Sequence, residues 1–311
     1  MAAGVPKRAA PTVLARPTRG DGLLLVIGLT AVSTSAPLIA ASATPALAIA
    51  FWRNIMATGV LAPVALLRCR DELRGLDRRE WLLALGAGGL LAAHFATWIP
   101  SVGLTSVATS TALVATQPVW AAVISRLRGQ PVSRRVWLGI ALAVVGAALL
   151  TGLDVRVGAR ALVGDGLAVL GGAFAAAYMT AGAEVRLSVS TTTYTVLCYA
   201  ATALLLLGVC LMGHQALSGY SRDDWLRLAA LTAGAQLLGH SVFNRVLRTT
   251  SATVVSLAIL FEIPGATLIA AVFLHRTPPL LALPAAVLLM AGVVVVVRAG
   301  GRDVAPSIPV E

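Results

Sequence analysis

Charged residues are scarce in this sequence. They make up 12% of its 311 residues, and lysine occurs once, at Lys7. Hydrophobic residues make up 58%, and the mean hydropathy is +0.87. A soluble domain of this length needs many more charges to cover its surface. The composition therefore excludes an ordinary soluble protein and indicates an integral membrane protein.

Cysteine is also scarce, and Cys69, Cys198 and Cys210 show no spacing typical of a metal or redox site. No glycine-rich segment continues into the Lys-Ser/Thr of a phosphate loop. The formal net charge is +11, but the basic residues lie scattered in short loops without interleaved aromatic residues. We therefore expect no cofactor, no metal and no nucleic acid; the expected partners are membrane lipids and a small-molecule substrate.

Apolar segments of about 20 residues recur along the whole chain, and each is long enough to cross the hydrocarbon layer as a helix. Helices are required because lipid offers the backbone no hydrogen-bond partners. The sequence therefore predicts an all-α membrane protein with ten transmembrane helices. The predicted spans are roughly 22–42, 45–67, 81–102, 105–125, 136–152, 164–184, 191–212, 225–244, 251–274 and 280–298.

The segments outside these spans predict that both termini are cytoplasmic. Residues 1–19 are rich in proline, alanine and arginine and are predicted to form a disordered cytoplasmic tail, with a second cytoplasmic tail at 299–311. Loops on the side of the N-terminus hold most of the arginines, as expected for cytoplasmic loops of a cell-membrane protein. The opposite side holds only Arg156, Arg160, Arg222, Arg227 and Arg276.

The chain also contains an internal duplication. The tetrapeptide that begins at Gly20 recurs at Gly164, and His94, Pro118 and Gly146 have counterparts at His240, Pro264 and Gly292. The predicted repeats are 20–152, with helices 1–5, and 164–298, with helices 6–10. Because each repeat has an odd number of spans, the second must enter the membrane in the opposite sense, as in inverted-repeat transporters. A cleaved signal peptide at the first span is disfavoured because the repeat includes that span.

Three segments resemble the EamA family of the drug/metabolite transporter superfamily. They are Phe51-Trp52-Arg53, HFATWIPSVGLTSVATSTALVATQPVW from His94 to Trp120, and FNRVLRTTSATVVSLAILFEIPGA from Phe243 to Ala266. The resemblance covers roughly residues 22–298. It implies a ten-helix permease that exports metabolites, amino acids or drugs.

The sequence departs from that family at three places. The family often has an acidic residue just past spans four and nine, where this chain has Gln130 and His275-Arg276. The family's Glu-Pro step in span nine is here Glu262-Ile263-Pro264. These departures affect two expectations taken from the family, namely the helix break in span nine and any ion coupling.

Two charged side chains are predicted inside spans, where an ionisable group usually faces a cavity or a partner. Glu262 is the only acid predicted deep within a span. It is a candidate for contact with a substrate ammonium or for proton binding, and a structural pairing with a buried Arg or His is the alternative. Arg53 is a candidate to bind a substrate carboxylate, or else has a structural role at helix carbonyls or the membrane edge.

Polar residues also occur as pairs four residues apart, which places them on one helix face. His94 pairs with Trp98, and the repeat-related His240 pairs with Asn244. We expect these residues to line a cavity between spans three, four, eight and nine, where the histidines contact ligand or shuttle protons. Hydrogen bonding between helices is the alternative.

Two prolines are predicted to break helices. Pro118 follows Gln117 in span four, and Pro264 is its counterpart in span nine. A proline frees the carbonyl four residues earlier, and freed carbonyls at mid-membrane can bind a polar substrate; a packing kink is the alternative. Gln117 in span four and Tyr178 in span six are further candidates to line the cavity.

These features together predict a secondary transporter, an exporter, working by alternating access, and no enzyme. No ATP-binding motif is present, so transport would draw on an ion gradient or on the substrate's own gradient. Protons bound at Glu262 are the candidate coupling ion. A membrane-embedded lipid-modifying enzyme and a passive channel are the alternatives. The sequence leaves the substrate and a homodimeric assembly open.

Overall fold

The computed structural model describes residues 19–154, 158–239, 242, 246 and 258–303. Within these residues the chain is helical, and no strand occurs among them. Predictions that fall on other residues lie outside the part of the chain described here, including most of the N-terminal tail, His240 and Asn244.

The first half contains eight helices. α1 (Arg19–Ser33) and α2 (Ser35–Ala41) follow one another in the first span, and α3 (Ala46–Arg68) is the second. The short α4 (Arg70–Gly75) leads to α5 (Arg78–Leu104), whose first turn is stabilised by a capping box between Asp77 and Glu80. The fourth span consists of α6 (Val107–Val114) and α7 (Gln117–Leu127), and α8 (Arg134–Asp154) is the fifth.

The second half contains five α-helices and one π-helical segment in its described residues. They are α9 (Ala159–Val185), α10 (Thr191–Met212), α11 (Arg222–Leu231), the π segment (Thr232–Gly239), α12 (Glu262–Leu274) and α13 (Ala282–Asp303).

Eight stretches in the described residues are long and apolar enough to cross a membrane, and they coincide with predicted spans one to seven and ten. Predicted spans eight and nine are described only in part. Span eight is represented by α11 and the π segment, and span nine by the 13-residue apolar α12. The outer surface of the bundle is apolar, as lipid contact requires: Leu204 is 68% exposed and Phe273 is 75% exposed.

Both predicted helix breaks coincide with interruptions of the helix. α6 ends at Val114 and α7 begins at Gln117, with Pro118 in its first turn. In the second half a turn at Leu260 and Phe261 precedes α12, and Pro264 lies in the first turn of that helix. A proline fits the first helical turn because the amide it lacks would have no helical partner there.

Small residues bring the helices close together. A Cβ atom on Gly88 would lie 2.7 Å from the Cβ of Ala201, which places α5 directly against α10. A Cβ on Gly172 would lie 2.9 Å from the carbonyl oxygen of Val114, which places α9 against α6. This is the close packing that small residues allow between membrane helices.

The contact between α8 and α13 is reciprocal. A Cβ atom on Gly146 of α8 would collide with the backbone of Leu289, and a Cβ atom on Gly292 of α13 would collide with the backbone of Ala143. Gly146 and Gly292 are repeat-related positions, and so are Ala143 and Leu289 at the same spacing. When each residue is replaced by its repeat counterpart, the contact of Gly146 with Leu289 becomes the contact of Gly292 with Ala143. Such an exchange is the pattern of a two-fold interface.

Candidate substrate site

A cavity of about 450 Å³ lies between the two halves of the bundle. Its lining residues come from α1, α2, α3, α5, α6, α7, α9, α10, the π segment and α12. Six of the eight predicted cavity residues line it, namely Arg53, His94, Trp98, Gln117, Tyr178 and Glu262. The other two, His240 and Asn244, lie outside the described residues.

Arg53 is held in the cavity wall by a chain of amide side chains. Its Nε donates a 2.5 Å hydrogen bond to Oε1 of Gln236 in the π segment. Gln236 in turn donates from Nε2 to Oδ1 of Asn54 at 3.0 Å, and Asn54 donates to the carbonyl of Ala50 at 2.8 Å. The guanidinium carbon lies 4.4 Å from the centre of the Phe95 ring, within the range of a cation–π contact.

Arg53 remains only partly satisfied in this arrangement. The side chain is 2% exposed, and its Nη1 has no hydrogen-bond partner among the described residues. A guanidinium carries five N–H donors and no acceptor. Leaving one buried donor unpaired costs free energy, which makes this nitrogen a candidate position for a ligand oxygen.

Glu262 begins α12 and faces the same cavity as Arg53. Its carboxyl interacts electrostatically with the Arg53 guanidinium, and the side chain is half-buried. This placement is compatible with the structural role expected from the sequence, a pairing with a buried arginine. It is also compatible with the functional role, contact with a substrate ammonium or proton binding, because the carboxyl lies on the cavity wall.

His94 and Trp98 form one face of α5 along the cavity, as their spacing predicts. The two rings are nearly parallel, at 12°, with centroids 5.7 Å apart. Nδ1 of His94 lies 2.9 Å from the carbonyl oxygen of Gly171, so this histidine connects α5 to α9 as well as lining the cavity. The indole Nε1 of Trp98 is buried and has no hydrogen-bond partner among the described residues.

Gln117 and Tyr178 lie on the cavity wall, whereas the two prolines do not. Gln117 is half-buried at the start of α7, where the helix break exposes it to the cavity. Tyr178 of α9 lines the cavity together with Tyr194 and Tyr199 of α10. The prolines lie in the first turns of α7 and α12, and the first residues of these helices line the cavity.

Sequence reasoning missed Gln236 and Tyr199. Gln236 accepts the hydrogen bond from Arg53, and Tyr199 interacts electrostatically with Arg53. A signal for Gln236 was present, because it lies four residues before His240 and so extends the polar face of span eight. Tyr199 had no such signal, since one tyrosine in an apolar span is common.

One end of the cavity, here called the Arg186 end, reaches the surface among the described residues. Its lining there includes Arg186 and Thr191, which are exposed at the connection between α9 and α10. Beside the opening, Glu72 accepts hydrogen bonds from Ser190 and Thr193 at the start of α10. Burial alone would raise the pKa of Glu72, but these hydrogen bonds outweigh it and hold the pKa below its ordinary value.

Aromatic residues close the opposite end. This end, here called the Trp52 end, is formed by the connections at residues 42–45 and 213–221. The rings of Trp52 and Trp225 meet edge to face with centroids 4.8 Å apart, and Tyr220 packs on Trp225 at 5.3 Å. The indole of Trp52 also donates a 3.0 Å hydrogen bond to the carbonyl of Leu217.

Asp224 fastens the Trp52 end. Its carboxylate accepts hydrogen bonds from the Ser42 hydroxyl at 3.0 Å, the Ala43 amide at 3.1 Å and the Ser221 hydroxyl at 2.8 Å, and it pairs with Arg227 at 3.0 Å. Burial would raise the pKa of Asp224, but these donors outweigh burial and hold the pKa below its ordinary value. The α2–α3 connection is therefore held against α11.

A family model covers almost the whole bundle. The model of the EamA-like transporter family matches residues 19–152 and again residues 162–298. The chain belongs to the EamA-like transporter family. The prediction of the family from the sequence is confirmed, and the family model matches the chain twice, once in each half.

Comparisons beyond the family model show a shared fold and add no function. No curated protein matches the chain significantly. A solved structure described only as "Crystal structure of protein" superposes with a TM-score of 0.63 at 17% identity, covering 89% of this chain and 96% of that chain. Identity this low shows a shared fold alone.

Proposed function

We propose that this EamA-like protein is a secondary transporter that exports small metabolites or drugs across the cytoplasmic membrane by alternating access. The proposal is carried by the cavity between the halves. Its described lining reaches exposed residues at the Arg186 end and includes none from the connections that form the Trp52 end. A binding cavity that reaches one side at a time is what alternating access requires. A passive channel needs a path through both ends.

The distribution of arginines supports an inward-open state. The Arg186 end carries Arg68, Arg70, Arg74, Arg78 and Arg79 around α4. Positive loops favour the cytoplasm, so in this proposal the Arg186 end is cytoplasmic and the cavity receives substrate from inside the cell. Both termini then lie in the cytoplasm as well.

An inverted repeat with ten spans is part of the proposal. The two family matches give two halves, and the reciprocal glycine contact between α8 and α13 is the relation that a pseudo-two-fold axis in the membrane plane produces. Two halves of the same shape and opposite orientation give inward-open and outward-open states of similar energy. This similarity of energy would allow a modest substrate or ion gradient to drive the cycle.

The transport proposal is tested in proteoliposomes. Purified protein is first screened by thermal shift against amino acids, nucleosides and amphipathic cations, because a ligand of the folded state raises the melting temperature. The radiolabelled hit is then used for counterflow. A transporter gives saturable uptake that is accelerated by unlabelled solute on the opposite side. Flux that neither saturates nor shows counterflow would refute alternating access.

The orientation is tested by cysteine labelling in a Cys69→Ala background, in which the remaining cysteines, Cys198 and Cys210, are buried. Gly75→Cys lies at the Arg186 end and Ser218→Cys at the Trp52 end, and both positions are exposed. In intact cells a membrane-impermeant thiol reagent is expected to label Ser218→Cys, and Gly75→Cys only after permeabilisation. Labelling of both variants from the same side would overturn the ten-span topology.

A further inference from the structure

Two buried hydrogen-bond donors on the cavity-lining side chains lack partners among the described residues. One is Nη1 of Arg53, whose Nε is already bonded to Gln236. The other is Nε1 of Trp98. Both side chains line the cavity, with exposures of 2% for Arg53 and 5% for Trp98. Buried polar groups normally have a partner, so a ligand that supplies acceptor oxygens would complete this wall.

The two donors come from different helices that meet at Phe95. The Arg53 guanidinium of α3 lies over the ring of Phe95, and Trp98 follows Phe95 by three residues on α5. Residues three apart are neighbours on a helix surface, so both side chains border the same part of the cavity. One cationic and one neutral N–H there offer one donor to each oxygen of a carboxylate, and the charged donor makes the stronger of the two bonds.

The charges of the described lining residues favour a monoanion over a dianion. Among these residues Arg53 is the positive group deep in the cavity, and Glu262, which also lines the cavity, interacts electrostatically with it. The second cation of the lining, Arg186, is exposed at the opening. A dianion such as phosphate would meet one buried positive charge and the nearby carboxyl of Glu262. A single carboxylate is therefore favoured.

The remaining walls suit an apolar or aromatic body. The stacked rings of His94 and Trp98 form one side, and Tyr178 and Tyr199 form another. A pocket with aromatic walls and a few directed polar groups binds a small organic molecule and fixes its orientation. A cavity of about 450 Å³ has room for one aromatic ring system with a short side chain.

We propose that the substrate is a small organic monocarboxylate whose carboxylate is bound by Nη1 of Arg53 and Nε1 of Trp98. The proposal rests on the proposed function, because it names the substrate class of the same cavity. It assigns Arg53 a binding role in addition to its structural bond to Gln236.

Matched pairs of acids and amides test the proposal by thermal shift and calorimetry on the purified full-length protein. The probes are indole-3-acetate with indole-3-acetamide and benzoate with benzamide. The wild-type protein is expected to bind each acid roughly tenfold more tightly than its amide, a difference of about 1.4 kcal/mol. Equal binding of acid and amide, or no binding of either acid, would overturn the monocarboxylate assignment.

Two substitutions locate the carboxylate. Arg53→Gln is expected to reduce the acid-to-amide preference to about one. The control Arg70→Gln removes an exposed charge on α4, outside the cavity lining, and is expected to retain the preference. Trp98→Phe retains an aromatic ring and removes the indole N–H. It is expected to weaken binding of the acids severalfold and to leave binding of the amides unchanged, which tests the proposal even if Arg53→Gln does not fold. Unchanged acid preference in Arg53→Gln, or unchanged acid binding in Trp98→Phe, would refute the site.

The two proposals can fail separately. If other compounds bind and show counterflow while neither acid binds, the monocarboxylate assignment is wrong and transport stands. If the acids bind with the expected preference but no counterflow occurs, the anion site stands and the transport proposal is wrong.

Discussion

Arg53 of the second predicted span and Gln236 of the eighth are joined by a 2.5 Å hydrogen bond inside the bundle. The bond connects the two halves of the chain across the cavity wall. The acceptor belongs to the π segment, and π-helical turns occur often at functional sites because they displace side chains from the regular helix position. The position of the buried guanidinium therefore depends on both halves of the protein.

Gln236→Leu is expected to destabilise the protein. The substitution keeps a side chain of similar size but leaves Nε of Arg53 without its acceptor, and an unpaired buried charged donor costs about 2–3 kcal/mol. We expect the melting temperature in detergent to fall by several degrees. Gln215→Leu, in the connection after α10, removes only a local bond to Gly213 and is the control. Equal melting temperatures for the two variants would contradict the structural role of Gln236.

Glu262→Gln is expected to abolish proton coupling. The amide resembles the protonated carboxyl and cannot release a proton, so transport of the thermal-shift hit should become independent of pH. Uptake into proteoliposomes is measured across a series of pH values, with Glu184→Gln as the control. Glu184 is paired with Arg79 at the Arg186 end, outside the cavity lining. If transport by Glu262→Gln retains its pH dependence, the proton site is elsewhere.

Asp224→Asn is expected to open the Trp52 end. Loss of charge-assisted hydrogen bonds to the α2–α3 connection removes about 1.5–3 kcal/mol from the closed state, which shifts the equilibrium roughly tenfold or more. Ser35→Cys lines the cavity and reports this opening to an impermeant thiol reagent applied from the Trp52 side. The exposed neighbour gives the control, Asp223→Asn. An unchanged labelling rate in Asp224→Asn would exclude Asp224 as the fastener of this end.

The pH response of this closure follows from the lowered pKa of Asp224. The pKa of an aspartate carboxyl in the unfolded state is near 3.9. If the closed, folded state lowers that pKa, the carboxylate stabilises the closed state at any pH above the unfolded-state value. This contribution is lost as the pH falls through the lowered pKa. The thiolate is the reactive form of a cysteine, so labelling of Ser35→Cys from the Trp52 side is divided at each pH by that of the exposed Ser218→Cys. This ratio should be the same at pH 7 and pH 5. A higher ratio at pH 5 would show that another group controls the closure.

Gly146→Ala is expected to weaken the contact between the halves. The added Cβ would collide with the backbone of Leu289, and overpacking of this kind costs about 1–3 kcal/mol. Gly152→Ala, near the end of the same helix, meets nothing within 4 Å and is the control. The melting temperature should fall for Gly146→Ala and stay unchanged or rise for Gly152→Ala. The opposite order would contradict the close approach of α8 and α13.

The sequence predicted the local features of this protein and several of the cavity residues. Hydropathy located spans one to seven and ten because the length and composition of a membrane helix are properties of one continuous segment. Spacing placed His94 and Trp98 on one helix face, and the isolation of Arg53 and Glu262 in apolar segments marked them as cavity candidates. The duplication followed from repeated motifs, and the family from three segments that resemble it.

The tertiary structure decided which of these side chains meet. Arg53 and Gln236 are far apart in the chain, and neither span alone indicates that its polar residue faces the other. The packing at the Trp52 end likewise depends on contacts between both halves, such as the ring contact of Trp52 with Trp225. Composition and periodicity describe each helix separately, whereas the cavity and its closure arise from the packing of helices against one another.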